Sequence, residues 1–352
     1  MATMNLDDTV AIRKIDESDM LSVMQKSAAR LRPPADAQST CHIDLESPRN
    51  VVFAGVGGSG IVGDILTDYC RDAIQLPTTV CRSLKIPRFV RKYTLFVAIS
   101  YSGDTRETLG MFGQAKRAHA TLVVVSSGGK LLRAARSGGL PYVKVKAGML
   151  PRVALPELVG AVSYALEEAG MMEGRKLLRS ASISVRTLID GVKASVPLVQ
   201  NPAKQVASAL LDRFPVLIGY EEDVSALRRF KNALNENSKA PALYYTLPEA
   251  YHDDVEGLKA LTDLSSPQPV ILRSHARKGS ERLAAEKLLQ TISQLGFPQP
   301  LFYSGLGDGR FERLISAITF GDFVSFYLAM LKELDPSRLS LIPHFRAIKG
   351  RV

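Results

Sequence analysis

The chain has 352 residues, of which 46% are hydrophobic and 23% are charged, and its mean hydropathy is +0.03. At roughly 150 residues per domain this length predicts about two domains, and the composition excludes disordered, collagen-like and coiled-coil proteins. The formal net charge of +10 suits anionic ligands. No basic block with interleaved aromatic residues occurs and tryptophan is absent, so nucleic acid is not a predicted partner.

Two further limits concern location and metals. No run of about 18 uncharged apolar residues predicts a membrane-spanning helix, and residues 1–14 are charged without an apolar signal core. We therefore expect a cytoplasmic protein with no membrane partner. The cysteines form no C-x-x-C pair and the histidines never fall at H-x-x-x-H spacing, so we predict neither a disulfide framework nor a metal site. Small buried side chains are the expected state of most of Cys41, Cys70 and Cys81.

The first part of the chain predicts a helical preface followed by alternating strands and helices. Apolar residues at helical spacing end at Pro33 and Pro34, and the preface extends to about residue 48. Short apolar runs then predict buried parallel strands, each followed by a polar turn and a helix, at residues 51–54, 94–99 and 121–125. This alternation predicts a parallel sheet with helices on both faces.

The second part of the chain repeats this pattern after a helical stretch predicted over residues 157–197. Strands are predicted at 214–218, 242–245 and 270–272, and helices at 225–237, 281–295 and 314–334. Asp223 or Ser225 is the expected N-cap of the first of these helices. We therefore predict an α/β fold with two doubly wound parallel-sheet domains, at 49–190 and 191–352, behind a helical segment at 1–48.

The turn after the first strand is rich in glycine, with the sequence GVGGSG at 55–60. Glycine lets the backbone turn sharply, and the helix that follows directs its free N–H groups into the turn, which makes an anion site. A dinucleotide fingerprint is the alternative, but Ser59 adds a hydroxyl and no acidic residue clearly ends a second strand. A tight turn without any ligand is the third possibility. As an anion site, the turn places Gly58 and Ser59 against the ligand.

The turn after the next predicted strand, SYSGDTRET at 100–108, carries three small hydroxyls. Ser100, Ser102 and Thr105 fall within six positions, where hydroxyls and backbone N–H groups can surround phosphate oxygens. Both turns are expected at the carboxyl ends of adjacent strands, where open α/β sheets bind ligands. Helix capping is the alternative, but it accounts for one hydroxyl and not for three.

These two turns, together with SSGG at 126–129, resemble the sugar isomerase (SIS) domain. Further segments are similar to the bifunctional phosphoglucose/phosphomannose isomerases of archaea and some bacteria. They are LPR at 150–152, NENSKAPA at 235–242, PEAYH at 248–252, GDF at 321–323 and DP at 335–336. The resemblance covers roughly residues 50–350 and implies two SIS-like domains.

The resemblance implies an aldose–ketose isomerisation through an enediol, with a phosphosugar as the small-molecule partner and no metal or organic cofactor. Phosphate would be held by the first two turns, Glu236 would move the proton between C1 and C2, and Arg152 would stabilise the enediolate. His252 would assist ring opening, and Lys349 would share that task. The resemblance also implies a homodimer with the active site at the interface, His252 being donated across it, and a place in glycolysis or gluconeogenesis.

The residues themselves leave alternatives open. Glu236 follows Leu227 by nine positions, about half a turn away from the apolar stripe of its helix, which also fits a solvated glutamate. His252 is followed by Asp253 and Asp254, where the family commonly has Asn-Glu, and it also fits a surface histidine. Arg152 suits a developing oxyanion, because its guanidinium is always charged, but it also fits a surface loop.

The position of the C-terminal lysine also departs from the family pattern. Lys349 comes somewhat later after the DP segment at 335–336 than the pattern leads us to expect, and it also fits a basic tail. Two other functions remain open as well. One is an SIS-type isomerase of another phosphosugar, which would keep the hydroxyl turns without requiring Glu236 and His252 together. The other is a non-enzymatic phosphosugar sensor.

Overall fold

A computed structural model describes residues 4–34, 43, 48–264, 266–273 and 279–342. It contains two parallel sheets flanked by helices, which confirms the predicted α/β fold. The strands of the first sheet are β1 (Asn50–Ala54), β2 (Thr78–Cys81), β3 (Thr94–Ile99), β4 (Thr121–Ser126) and β5 (Tyr142–Lys144). Those of the second are β6 (Phe214–Tyr220), β7 (Leu243–Leu247), β8 (Pro267–Leu272) and β9 (Leu301–Tyr303).

The first sheet has the strand order β2-β1-β3-β4-β5, and every neighbouring pair is parallel. All six residues of β3 are buried, as expected for a central strand covered on both faces. Its helices are α4 (Gly58–Ala73), α5 (Arg106–Arg117) and α6 (Gly129–Ser137). Phe96 of β3 and Met111 of α5 belong to one hydrophobic cluster, so the strands and helices share a core.

The second sheet has the order β7-β6-β8-β9, again with parallel pairs. The predicted helix at 225–237 is α10 (Val224–Asn237), with Asp223 in the N-cap position but without a capping hydrogen bond from its side chain. The predicted helices at 281–295 and 314–334 are α12 (Gly279–Gln294) and α13 (Arg310–Leu331). The aromatic ring of Phe230 in α10 packs edge-on against Tyr303 of β9, at 5.7 Å between centroids.

The other helical elements differ from the prediction in two respects, a split helix and two additional helices. The preface contains α1 (Thr9–Ile15), α2 (Met20–Gln25) and α3 (Ser27–Arg30). The stretch predicted over 157–197 is two helices, α7 (Leu155–Glu168) and α8 (Gly174–Val192), because Gly170 adopts a φ of +71° and ends the first of them. The remaining helices, which the sequence analysis does not predict, are α9 (Pro202–Ala209) and α11 (Asp254–Leu264).

The chain divides into two compact units. The first-sheet unit comprises Lys26–Arg186 and Gly307–Ile315, and the second-sheet unit comprises Met1–Gln25, Thr187–Leu306 and Ser316–Val352. The predicted N-terminal segment is therefore split at residue 25, and its two parts belong to different units. The three-part arrangement expected from the sequence, at 1–48, 49–190 and 191–352, therefore stays a prediction.

One helix in the described part of the chain, α13, is long and apolar enough to cross a membrane by length and composition alone. Within the protein, 89% of its apolar window is buried. Such burial is typical of the core helix of a folded domain. The two described cysteines are also buried and free, and burial raises the pKa of the Cys70 thiol to about 12. Cys41 lies outside the described residues.

A buried lysine in the second-sheet unit anchors residues before α1. The ammonium of Lys204 is 0% exposed and donates to Asp7 Oδ1 and to the carbonyls of Ala194 and Val196, each at 2.8 Å. A buried charge is tolerated only when it is paired and fully hydrogen-bonded, and three acceptors satisfy the three N–H donors of an ammonium. The hydrogen bond from Lys204 lowers the pKa of the Asp7 carboxyl.

We expect Asp7→Asn to lower the free energy of unfolding by about 1 kcal/mol at neutral pH, a modest effect because the Asp7 carboxylate is 40% exposed and screened by solvent. A carboxyl whose pKa is lowered in the native state stabilises the fold at pH values above its ordinary pKa. This stabilisation is lost as the pH falls through the native pKa. The difference between the two proteins in urea unfolding should therefore shrink below roughly pH 4. Asp8→Asn is the matched control, because Asp8 caps α1 and asparagine caps equally well. A difference that is independent of pH would contradict this account of Asp7.

Candidate functional site

The candidate site lies at the point where the strand order of the first sheet reverses. β1 pairs with β2 on one side and with β3 on the other, so the turns that follow β1 and β3 start at adjacent carboxyl ends. This confirms the predicted adjacency of the two turns. Such a reversal is the usual ligand site of an open α/β sheet.

The first turn, residues 55–59, presents the N-terminus of α4. Gly57 is the N-cap with a φ of +61°, a conformation that favours glycine. Ser59 lies in the first turn of the helix and is half-buried, and its hydroxyl oxygen accepts a hydrogen bond from the Tyr101 N–H at 3.3 Å. The first turn is therefore tied directly to the second.

The second turn, residues 100–105, is organised by its own hydroxyls. Ser100 is buried; its hydroxyl donates to Thr105 Oγ1 at 3.0 Å and accepts from the Gly103 N–H at 3.1 Å. The exposed Ser102 accepts from the Asp104 N–H at 3.3 Å. Thr105 stands in the N-cap position of α5, yet its side chain makes no capping hydrogen bond. Ordinary capping therefore does not account for these hydroxyls.

The third turn, residues 126–129, packs against the second turn and is hydrogen-bonded to it. Ser127 donates to the Tyr101 carbonyl through its N–H at 3.0 Å and through its hydroxyl at 2.6 Å. Asp104 accepts from the Lys130 N–H at 2.9 Å. A Cβ at Gly103, where φ is +73°, would lie 1.9 Å from the Gly128 carbonyl oxygen. The SSGG segment therefore packs against the second turn. Asp104 and Ser127 support this contact, and the sequence analysis quoted them only within longer motifs, without a role.

Arg152 lies beside the first turn. The Val153 N–H donates to the Leu150 carbonyl at 3.0 Å and closes a β-turn with Pro151 in its second position, which suits the fixed φ of proline. A Cβ at Gly58 would lie 3.5 Å from the Pro151 carbonyl oxygen and 3.9 Å from the Arg152 Cα. Arg152 is only 5% exposed. The structure thus brings this residue, Gly58, Ser59, Ser100, Ser102 and Thr105 into one region of the first-sheet unit.

Glu236 belongs to the second-sheet unit, where it is half-buried near the end of α10. Arg229 precedes it by seven residues and so lies on the same side of the helix. The Arg229 guanidinium is buried and its Nε donates to Asp322 Oδ1 at 2.8 Å. Burial opposes the charge of Arg229, but Asp322 and Glu236 together raise its pKa. Burial raises the pKa of the Asp322 carboxyl, and Arg229 partly offsets this effect. Glu236 is therefore electrostatically coupled to a buried ion pair.

The other residues around Glu236 terminate α10. Asn237 donates to Ser325 Oγ at 2.9 Å, and the Ser238 hydroxyl donates to the Leu234 carbonyl at 2.8 Å. Lys239 adopts a φ of +51° and its ammonium donates to the Glu236 and Asn237 carbonyls, which stabilises the negative end of the helix dipole. Much of the NENSK segment thus fixes the helix end that carries Glu236. The sequence pattern did not single out Arg229, and it quoted Asp322 only within GDF.

Of the two remaining predicted residues, the structure describes only His252. His252 is exposed in the turn after β7, with its N–H bonded to the Glu249 carbonyl at 2.8 Å. Asp253 accepts from the Asp254 N–H at 2.6 Å and so helps to start α11. Lys349 lies outside the described residues. Within the described ranges, no group of three or more His, Cys, Asp or Glu side chains is arranged to hold a metal ion.

The chain is similar to several known proteins. Residues 199–348 match the family described as "Bacterial phospho-glucose isomerase C-terminal SIS domain". A curated relative from Caldicellulosiruptor bescii, named bifunctional phosphoglucose/phosphomannose isomerase, is 28% identical over 86% of this chain and 89% of its own length. A second, from Sulfolobus acidocaldarius, is named D-glucosamine-6-phosphate 4-epimerase and is 29% identical over 60% of this chain and 65% of its own length.

Among solved structures, the chain is similar to a glucose-6-phosphate isomerase-like protein from Thermus thermophilus, with a TM-score of 0.64, 16% identity, and coverage of 96% of this chain and 99% of the other. The two parallel sheets thus define an α/β protein, and its C-terminal part is similar to an SIS domain. The relatives of this chain over most of its length confirm its resemblance to the bifunctional phosphoglucose/phosphomannose isomerases.

We expect Gly103→Ala to lower the free energy of unfolding by at least about 2 kcal/mol, because it places a side chain in the left-handed region and against the Gly128 carbonyl. Gly110→Ala is the matched control in α5, where a Cβ meets nothing within 4 Å. Alanine inside a helix should stabilise the protein by roughly 0.5–1 kcal/mol. If both substitutions behaved alike in urea unfolding, the tight packing of the second and third turns would be refuted.

We expect Asp322→Asn to destabilise the protein by roughly 3 kcal/mol, because it removes the carboxylate charge that compensates the buried Arg229 guanidinium. The double variant Arg229→Met, Asp322→Leu should unfold at a higher urea concentration than Asp322→Asn alone, since it removes both charges. Equal stability of the double variant and Asp322→Asn would show that the ion pair does not determine the stability of this region.

Proposed function

We propose that this chain is an aldose–ketose isomerase that interconverts fructose 6-phosphate with glucose 6-phosphate, and also with mannose 6-phosphate, through an enediol. The observation that carries the proposal is the glycine-rich turn and the hydroxyl-rich turn at the reversal of the first sheet, with the buried Arg152 beside Gly58. The names of the curated relatives support the same reaction.

In this proposal the phosphate is bound by neutral groups. The hydroxyls of Ser59, Ser102 and Thr105 and the free N–H groups at the start of α4, near Gly58, donate to its oxygens, while Ser100, whose single hydroxyl proton is donated to Thr105 Oγ1, orients Thr105. A helix N-terminus attracts an anion through its unsatisfied N–H groups and its dipole. The internal hydrogen bonds of the second turn, such as that from Ser100 to Thr105, would hold these hydroxyls in place before the ligand arrives.

Proton transfer is assigned to Glu236. Its carboxylate takes the proton from C2 of the aldose, or from C1 of the ketose, and returns it to the neighbouring carbon. The negative charge that develops on oxygen would be stabilised by the guanidinium of Arg152. His252 and Lys349 would exchange protons with the ring oxygen and open the ring. Because an enediol has lost the stereochemistry of C2, one site can return the proton to either face, which yields either aldose.

The remaining features of the proposal rest on the resemblance. The chain would act as a homodimer whose active site lies at the interface, with His252 supplied by the partner subunit, and it would work in the cytoplasm, in glycolysis or gluconeogenesis. No metal or organic cofactor enters the proposed steps. The relative named as an epimerase favours a second candidate, an enzyme of the same fold that acts on an amino sugar phosphate.

The direct test is turnover of fructose 6-phosphate by the purified protein without added metal, with glucose 6-phosphate and mannose 6-phosphate resolved as products. Formation of both aldoses is the expected result. Glucose 6-phosphate alone would restrict the enzyme to a single aldose. Binding of fructose 6-phosphate without any product would overturn the proposal and favour an enzyme of another phosphosugar or a sensor.

We expect Glu236→Gln to lower kcat by about 10²–10⁴-fold, the usual contribution of a general base, while the dissociation constant of fructose 6-phosphate stays nearly unchanged. Glutamine keeps the shape of the side chain but cannot accept the proton. Glu256→Gln, at an exposed position of α11, is the control and should retain wild-type turnover. If Glu236→Gln retained full activity, the assignment of the base would be wrong.

A further inference from the structure

Tyr101 connects the first and second turns, residues 55–59 and 100–105, to the loop that carries Arg152. Its main chain joins the turns, because its N–H donates to Ser59 Oγ at 3.3 Å and its carbonyl accepts from Ser127. Its side chain leaves the turns and reaches the loop after β5. There the phenol donates to the Lys146 carbonyl at 3.0 Å and accepts from the Met149 N–H at 2.9 Å.

The phenol is hydrogen-bonded to the short segment that leads to Arg152. Met149 precedes the β-turn that contains Pro151 and Arg152, and the sulfur of Met149 also accepts from Arg30 at 3.0 Å. Lys146 and Gly148 are exposed, so this part of the loop has little packing of its own and relies on such hydrogen bonds for its position. Tyr101 itself is 6% exposed, and burial raises the pKa of its phenol, which keeps the donor proton in place.

We propose that Tyr101 is a positioning residue that transmits occupancy of the phosphate turns to the Arg152 loop, so that binding of the substrate phosphate fixes Arg152 for proton transfer. The catalytic part of this inference rests on the proposed function. The phosphate itself does not react, but the free energy of its binding can offset the cost of orienting a group at the reacting carbons. Coupling phosphate binding to the orientation of Arg152 requires a residue that is bonded both to the turns and to the loop.

The first experiment tests the coupling without any reaction. Hydrogen–deuterium exchange of the segment 146–153 is followed by mass spectrometry with and without inorganic phosphate. In the wild type, phosphate should slow exchange in this segment at least fivefold. In Tyr101→Phe the phosphate should still bind, but the slowing should fall below twofold. Equal slowing in both proteins, or loss of phosphate binding by the variant, would overturn the proposal.

The second experiment tests the catalytic consequence with fructose 6-phosphate. Tyr101→Phe should lower kcat about tenfold with little change in KM, whereas a merely structural residue of the turns would raise KM as well. Tyr142→Phe, in β5 of the same unit, is the matched control and should leave both constants unchanged.

A double-mutant cycle then asks whether Tyr101 acts through Arg152. Arg152→Lys keeps a positive charge but loses the planar fork of donors, so a reduced turnover remains measurable. In that background Tyr101→Phe should change kcat less than twofold. An undiminished tenfold loss would show that the two residues act independently, which refutes the inference.

Together, the exchange and turnover experiments distinguish a failure of the proposed function from a failure of the coupling through Tyr101. If the wild type produced no aldose phosphate yet showed the phosphate-dependent slowing, the proposed function would be wrong and the coupling through Tyr101 would stand. If turnover were normal but the slowing absent, the isomerase would stand and the coupling would be wrong.

Discussion

The structure of the site depends on the close approach of two backbone turns at the edge of the first sheet. Parallel strands end on the same edge, so the turns after β3 and β4 must share the space between their helices. They do so by backbone contact at Gly103 and Gly129, where a side chain would strike the opposite carbonyl. This contact holds the hydroxyls of the second turn in fixed positions. It also places the Tyr101 carbonyl under Ser127, which directs the Tyr101 phenol towards the Arg152 loop.

The fold is predictable wherever burial on both faces leaves a continuous apolar run. β3 is found over the range predicted for it, and β1 and β4 each differ by one residue, since these central strands have few polar positions. The short strands β2, β5 and β9 have no clear apolar pattern in the sequence and are not predicted. Most residues of β2 and β5 are only half-buried, so the apolar signal is missing there. The break between α7 and α8 depends on the left-handed Gly170, which helical periodicity does not detect.

The site is only partly predictable, for a different physical reason. The sequence points to Ser100, Ser102 and Thr105 because hydroxyls are concentrated after one strand, and to Ser59 because it lies in a glycine-rich turn; their binding role stays a prediction. Asp104, Tyr101 and Arg229 act through contacts with residues far along the chain, and no local pattern marks them. Glu236 shows the limit most clearly. Its spacing from Leu227 also fits a solvated glutamate, yet it is half-buried beside the Arg229–Asp322 pair, which only the packing of α10 against α13 creates.

The two sheets offer similar reversal points but different chemistry. In the second sheet the order reverses at β6, which pairs with β7 and β8, and β6 is followed by Glu221, Glu222 and Asp223. Three carboxylates at a strand end repel a phosphate, whereas the turns after β1 and β3 offer glycine N–H groups and hydroxyls. In the proposed function the phosphate therefore binds at the turns of the first-sheet unit, and the proposed base Glu236 belongs to the unit whose central strand β6 is followed by carboxylates.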